Sequence, residues 1–251
     1  MENEYRNCLQ QTDEYKAKID AHRPLSTEAL KQIKDYFKIS FTYSSNAIEG
    51  NTLDLVETKI IIEDGITIGG KPVKDHMEAI GGANAYDLLF NLAKGSEITE
   101  KNILALHKML YQKIDETNSG IYRKCNVMIT GNEFELPRHE DVPALMEKFV
   151  GVIPSQKEKL HPVEFAAWIH ERFVSIHPFV DGNGRCARLL MNLALLQAGY
   201  NIVIIPPVVR KDYIYALQDA QINNNPQPFI NFISEMVLES QKEYLKIIER
   251  F

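Results

Sequence analysis

The stretch His177-Pro-Phe-Val-Asp-Gly-Asn-Gly-Arg-Cys-Ala-Arg188 constrains this 251-residue chain more than any other. A histidine is the one side chain whose ordinary pKa lets it take and return a proton near neutrality. Asp181, four residues on, is a hard oxygen ligand suited to Mg²⁺. Gly182-Asn183-Gly184 lets the backbone approach a ligand and turn its N–H groups outward. Arg185 then opens a helical run that continues to Gly199. The start of a helix has orphan N–H groups and the positive end of the dipole, and so favours anions. Arg185 and Arg188 are three apart and reach the same end of that helix. Singly, each piece has a plainer reading: a turn for Gly-Asn-Gly, a cap for the aspartate, a helix end for His-Pro. Packed into one short stretch that feeds a helix, they describe a polyphosphate site beside a general base.

A second stretch is Tyr43-Ser-Ser-Asn-Ala-Ile-Glu-Gly-Asn51. Ser45 and Glu49 are four apart and share a helix face, and Gly50 can end the helix in the left-handed conformation. By spacing alone this is a capped helix end with a solvated glutamate. A third segment, residues 120–137, breaks the helical rhythm. Val127-Met-Ile-Thr130 and Phe134-Glu-Leu136 flank Gly131-Asn132, which reads as a β-hairpin.

The stretch 177–188 resembles the signature of the Fic family, His-x-Phe-x-Asp/Glu-Gly-Asn-Gly-Arg-x-x-Arg, at every defined position. Doc proteins, which use a similar fold to phosphorylate, have lysine where this chain has Gly184, which argues against that activity. The resemblance implies a mainly α, helical Fic-type fold with a small β-hairpin flap over the active site. It implies transfer of AMP from ATP to a protein hydroxyl, with pyrophosphate leaving. His177 would be the base and Asp181 the Mg²⁺ ligand. Gly182, Asn183, Gly184, Arg185 and Arg188 would hold the phosphates, with Asn183 either orienting the α-phosphate or fixing the loop. Ser45-x-x-x-Glu49-Gly50 matches the family's inhibitory motif, in which the glutamate pairs with the second signature arginine, here Arg188. That pairing withdraws a cation from the γ-phosphate and puts negative charge in its place. Segment 120–137 stands where the family has its flap, with Met128, Ile129 and Thr130 near the nucleotide and a strand edge for an extended piece of target protein. Residues flanking the adenine would come from the penultimate helix, with Tyr213, Ile214 and Gln221 as candidates beside a reading of them as ordinary helix-face residues. Residues 1–95 would carry the inhibitory motif and 96–251 the catalytic core. A homodimer accords with family habit.

Composition narrows the alternatives. A net charge of −6 and a pI near 5.7 oppose broad binding to nucleic acid or anionic membranes. The longest apolar run, from Ile202 to Val209, is broken by two prolines and is too short to span a bilayer. No signal peptide is visible at the N-terminus, and Cys8, Cys125 and Cys186 give no disulfide or metal framework, so a cytoplasmic location is expected. The spacing of His161, His170 and His177 matches no zinc pattern, and His161 and His170 read as packing or surface residues.

Helical periodicity runs through most of the chain. It predicts helices around residues 5–19, 30–45, 53–62, 73–92, 99–110, 141–150, 162–176, 185–198, 210–222 and 229–248. Gly81-Gly82 reads as a close-packing point and 201–207 as an extended crossing. Two rivals to the transferase remain at this point: a hydrolase that removes AMP from protein at the same site, with Glu49 orienting water, and a non-enzymatic interaction module of Fic fold.

Overall fold

The computed structural model describes residues 2–129 and 134–251. Its helices are α1 (Glu2–Ala21), α2 (Thr27–Ile48), α3 (Leu55–Lys59), α4 (Val73–Leu92), α5 (Glu100–Tyr111), α6 (Val142–Lys159), α7 (Pro162–Ile176), α8 (Asn183–Gln197), α9 (Arg210–Ile222) and α10 (Gln227–Ile248). Among the described residues there is no strand. Local chemistry sets several boundaries. Ser26 caps α2, accepting from the Ala29 N–H at 3.1 Å. Asp54 with Glu57 and Thr99 with Asn102 form reciprocal capping boxes at the starts of α3 and α5. The helix expected over 53–62 is instead the short α3 followed by a π-helical turn, Ile60–Asp64.

Helix α8 is the centre of the molecule. From Arg185 to Leu195 every residue is buried, so the helix is covered on all sides. It packs most extensively against α7, and also against α4 and α5. One hydrophobic core runs from Ile19 of α1 through Phe37 and Phe41 of α2 and Leu189 of α8 to Ile248 of α10. Asn192, buried in α8, serves the expected extended crossing: its amide donates to the Val203 carbonyl and accepts from the Val203 N–H. The close-packing point at Gly81 is present. A Cβ there would lie 2.2 Å from the Leu110 carbonyl oxygen, so only glycine lets α4 and α5 approach this closely.

Of the hairpin expected over 120–137, the described residues 120–129 and 134–137 contain no strand. Thr130 and residues 131–133 lie outside the described residues. Among the described residues, side-chain bonds join the arms on either side. Buried Arg123 donates to the Cys125 carbonyl on one arm and the Pro137 carbonyl on the other, and Asn126 Oδ1 accepts from the His139 N–H at 2.9 Å.

Candidate active site

The signature connects the end of α7 to the start of α8. His177 is the C-cap of α7, in the left-handed region at φ 52°, so the chain turns sharply there. Its Nδ1 lies 3.3 Å from the Val174 carbonyl, which can only accept, so the proton sits on Nδ1 and Nε2 keeps its lone pair. Burial pushes the imidazole pKa down to about 4, with the Val174 carbonyl opposing that shift and the Arg123 charge adding to it. Glu49 and Asp181 are close enough to act on the ring electrostatically. His177 is therefore a neutral base at neutral pH.

The loop from 178 to 183 is locked from inside. Asn183 accepts from the Phe179 N–H and donates to the Phe179 carbonyl, both at 2.9 Å. Both ends of its buried amide are used, so of its two expected roles the one it performs is to fix the loop. Phe179 stacks on His107 with ring centroids 3.6 Å apart and planes 5° from parallel. His107, fully buried on α5, accepts from the Gly120 N–H at Nδ1 and donates from Nε2 to the Asp181 carbonyl. Burial pushes its pKa down to about 4, so it stays neutral and keeps this bridging tautomer. Arg123 donates its Nε–H to the His177 carbonyl at 2.9 Å, and its own N–H bonds the Pro178 carbonyl. One side chain thus ties both arms of 120–137 to the residue that carries the base.

Asp181 has one committed oxygen and one looser oxygen. Oδ1 accepts from the Gly182 N–H at 2.6 Å, while Oδ2 has Tyr111 Oη at 3.3 Å and Lys74 Nζ at 3.6 Å. Burial opposes ionisation of this carboxyl, but Arg185, the Gly182 N–H and Lys74 outweigh it and hold the pKa below the usual range. Among the described residues no three His, Cys, Asp or Glu side chains cluster as a metal cage. A single ionised carboxylate beside an uncapped helix start fits Mg²⁺, an ion that completes its shell from phosphates and water. Gly182, the N-cap of α8 at φ 78°, leaves the first N–H groups of that helix without a side-chain cap.

Both signature arginines are buried, and each is paired with a carboxylate from the first part of the chain. Arg188 donates to Ser45 Oγ at 3.0 Å, the Ser45 carbonyl at 2.7 Å and Glu49 Oε1 at 2.8 Å. Burial alone would lower its pKa, but Glu49 and Tyr213 raise it, so the guanidinium is firmly charged. Its remaining nitrogen meets Tyr213 Oη at 3.4 Å, and that hydroxyl is bonded to His170 Nε2 at 2.9 Å. Gly184 gives Glu49 its place: a Cβ at 184 would lie 2.3 Å from Glu49 Oε1. Arg185 faces Glu78 Oε1 at 2.8 Å and Asp181 Oδ1 at 3.5 Å.

The remaining candidates scatter. Met128 is 96% exposed and Ile129 half-buried. Tyr213, a candidate for the adenine side, is buried behind Arg188 instead, where it braces the guanidinium. Gln221 donates to Ser175 at 3.1 Å, and Ile214 packs on the edge of the core. His170 is fully buried and His161 caps α7. Sequence reasoning missed Lys74, Glu78, His107 and Arg123. For Glu78 and His107 the sequence signal was a polar residue on a helix face otherwise read as core; Lys74 and Arg123 gave none.

Architecture and site together define the class: a helical Fic-type domain with an uncapped helix start, a neutral histidine beside it and an arginine held by a carboxylate. A family model described as Fic/DOC family matches residues 97–195. The chain is 36% identical over 222 residues to the "Protein adenylyltransferase Fic" of Drosophila persimilis, covering 88% of this chain and 43% of that protein. It thus spans less than half the length of this curated relative. Among solved structures it is similar to Fic-1 of C. elegans, with a TM-score of 0.85 at 29% identity over 96% of this chain and 71% of that one. A Fic domain containing signaling protein from Bacteroides thetaiotaomicron gives a TM-score of 0.84 at 29% identity, over 95% of this chain and 97% of that one. The chain belongs to the Fic/DOC family. No helix among the described residues is long and apolar enough to cross a membrane.

Proposed function

We propose that the chain is a protein adenylyltransferase that moves AMP from ATP to a Ser, Thr or Tyr hydroxyl of a target protein and of itself, and that Glu49 restrains it. The observation that carries this reading is the convergence of a neutral His177, with Nε2 free to accept, on the uncapped start of α8 and its two arginines. The name of the Drosophila relative supports it.

In this reading the N–H groups of Gly182 to Arg185 and the dipole of α8 hold the phosphates, and Arg185 and Arg188 take the β/γ end. Asp181 Oδ2 would hold Mg²⁺, which when bound screens the polyphosphate charge. His177 Nε2 takes the proton of the target hydroxyl. The hydroxyl oxygen bonds to the α-phosphorus as the bond to the bridging oxygen breaks, and pyrophosphate leaves. The backbone of 120–137 presents the target, and its attachment through Arg123 keeps it in register with His177. Residues 1–95 form the inhibitory region and 96–251 the catalytic core. Glu49, bonded to Arg188, occupies the place of the γ-phosphate.

The test is intact mass of purified wild type and Glu49→Gly after incubation with Mg-ATP. The variant should gain one AMP unit and the wild type little, while Glu49→Gly combined with His177→Ala should gain none. No change on releasing Glu49 would remove the inhibitory role. A second reading, hydrolysis of AMP–protein, draws on one observation: Glu49, 37% exposed, acts electrostatically on His177 and could orient water. Loss of AMP removal from modified protein in Glu49→Gly would favour it.

A further inference from the structure

Arg185 stands between two carboxylates. Its side chain is 3% exposed, and its NH1 is 2.8 Å from Glu78 Oε1, itself on a side chain 7% exposed. Its NH2 is 3.5 Å from Asp181 Oδ1, a longer and weaker contact. Despite the short distance to Glu78, neither Nε nor NH1 has an aligned hydrogen-bond acceptor. The contact is thus an ion pair set by charge, and two buried donors retain unused capacity that an anion would satisfy.

Glu78 is held in turn. Its Oε2 accepts from Asn51 Nδ2 at 2.9 Å, and the same amide donates to the Asp75 carbonyl at 3.1 Å. Asn51 lies just beyond Glu49, and its N–H bonds the Asn46 carbonyl at the end of α2. Lys74 Nζ bridges the two acids, 3.7 Å from Glu78 and 3.6 Å from Asp181. If Glu78 lost its charge, buried Arg185 would keep Asp181 as its nearest carboxylate. The two would close into a direct pair, and Asp181 would have less to offer a cation.

We propose that Glu78 is a positioning residue of the site: it draws Arg185 away from Asp181, so that Asp181 is left for the metal and Arg185 for phosphate. This rests on the reading of the site as one for a metal-bound nucleotide. Glu78 touches neither the base nor the reacting atoms and acts through Arg185, with the longer Lys74 contact secondary. Its tie to Asn51 fixes it to the same turn that carries Glu49.

The experiment compares Glu49→Gly with Glu49→Gly/Glu78→Gln. Calorimetry measures binding of α,β-methylene-ATP, which cannot release pyrophosphate, once with Mg²⁺ and once with EDTA. Removing the partner of a metal ligand typically weakens metal binding about 10- to 100-fold. The expected result is a loss of that order with Mg²⁺ and a clearly smaller loss in EDTA, where no metal needs Asp181 and only the pairing of Arg185 with Asp181 is felt. Equal losses in both conditions, or none, would overturn the proposal, because a merely structural glutamate would not separate them. If Glu49→Gly itself binds no nucleotide with Mg²⁺, the reading of the site fails and the proposal with it. Should Glu78→Gln not fold, Glu78→Gln/Arg185→Gln buries no unpaired charge and carries the test in the same background. It should bind as Arg185→Gln alone does, and a further loss would show that Glu78 acts by another route.

Discussion

Glu49 sits over Gly184 because glycine offers it nothing to collide with. A methyl group at 184 would fall 2.3 Å from Glu49 Oε1 and 3.3 Å from Arg188 NH1. The carboxylate, at the end of a flexible side chain, is the group that must yield. We therefore expect Gly184→Ala to loosen the Glu49–Arg188 pair and raise basal self-modification toward the level of Glu49→Gly. Intact mass after incubation with Mg-ATP checks this, and basal modification equal to wild type would show that the pair survives the methyl group. At this scale the sequence was most legible in the signature, and in Ser45 and Glu49 only through the family resemblance, since their spacing alone reads as a capped helix end with a solvated glutamate. It was least legible for Tyr213. Periodicity places a tyrosine on a helix face, but whether that face meets adenine or the back of an arginine depends on how α9 lies against α7 and α8.

Segment 120–137 illustrates how an element can be placed by local pattern while the contacts that anchor it come from elsewhere. Gly, Asn and β-branched residues around 127–132 read as a hairpin. The described arms are held by Arg123, which no local pattern picks out, since a lone arginine in a loop is ordinarily a surface residue. Arg123→Ala would leave the His177, Cys125 and Pro137 carbonyls without this partner. Misplacing a reacting group by an ångström can cost about 100-fold in rate. The expected outcome in the Glu49→Gly background is a fall in kcat on the order of 10- to 100-fold with KM for ATP little changed. A rise in KM without loss of kcat would assign Arg123 to nucleotide binding instead. Helix α2 shows the opposite case. Its apolar face, Ile33, Phe37 and Phe41, follows the helical period, and Ser26 caps its start. Its C-terminal carbonyls are satisfied from far along the chain, Ser45 by Arg188 and Ile48 by Arg210. Cations there also complement the negative end of the helix dipole.

For the whole molecule, burial of neutral histidines makes stability depend on acidity. His107 and His170 are fully buried with pKa values pushed down to about 4 and about 3 from 6.5, in both cases first by burial. Their stabilising contribution is complete above pH 6.5 and is lost as pH falls toward those values, because the unfolded chain binds protons there that the folded chain refuses. Each contributes at most about 1.4 kcal/mol per pH unit across that window. Urea unfolding at pH 7 and pH 5 should show the stability fall, with a smaller fall in His170→Gln, and equal falls would discount His170. The mainly helical class and the position of the site were legible because each helix has its own period and the signature is continuous. The polar contacts that hold the site together were not, because they join α4, α5 and the end of α2 to α8 across long stretches of chain. The Glu49–Arg188 contact alone spans 139 residues. That separation also fixes an order of events during synthesis. At typical rates of translation, the segment bearing Glu49 leaves the ribosome on the order of ten seconds before the segment bearing Arg188. On the proposed function, the restraining segment is therefore made first, and the nascent chain has no interval in which a finished catalytic centre exists without it.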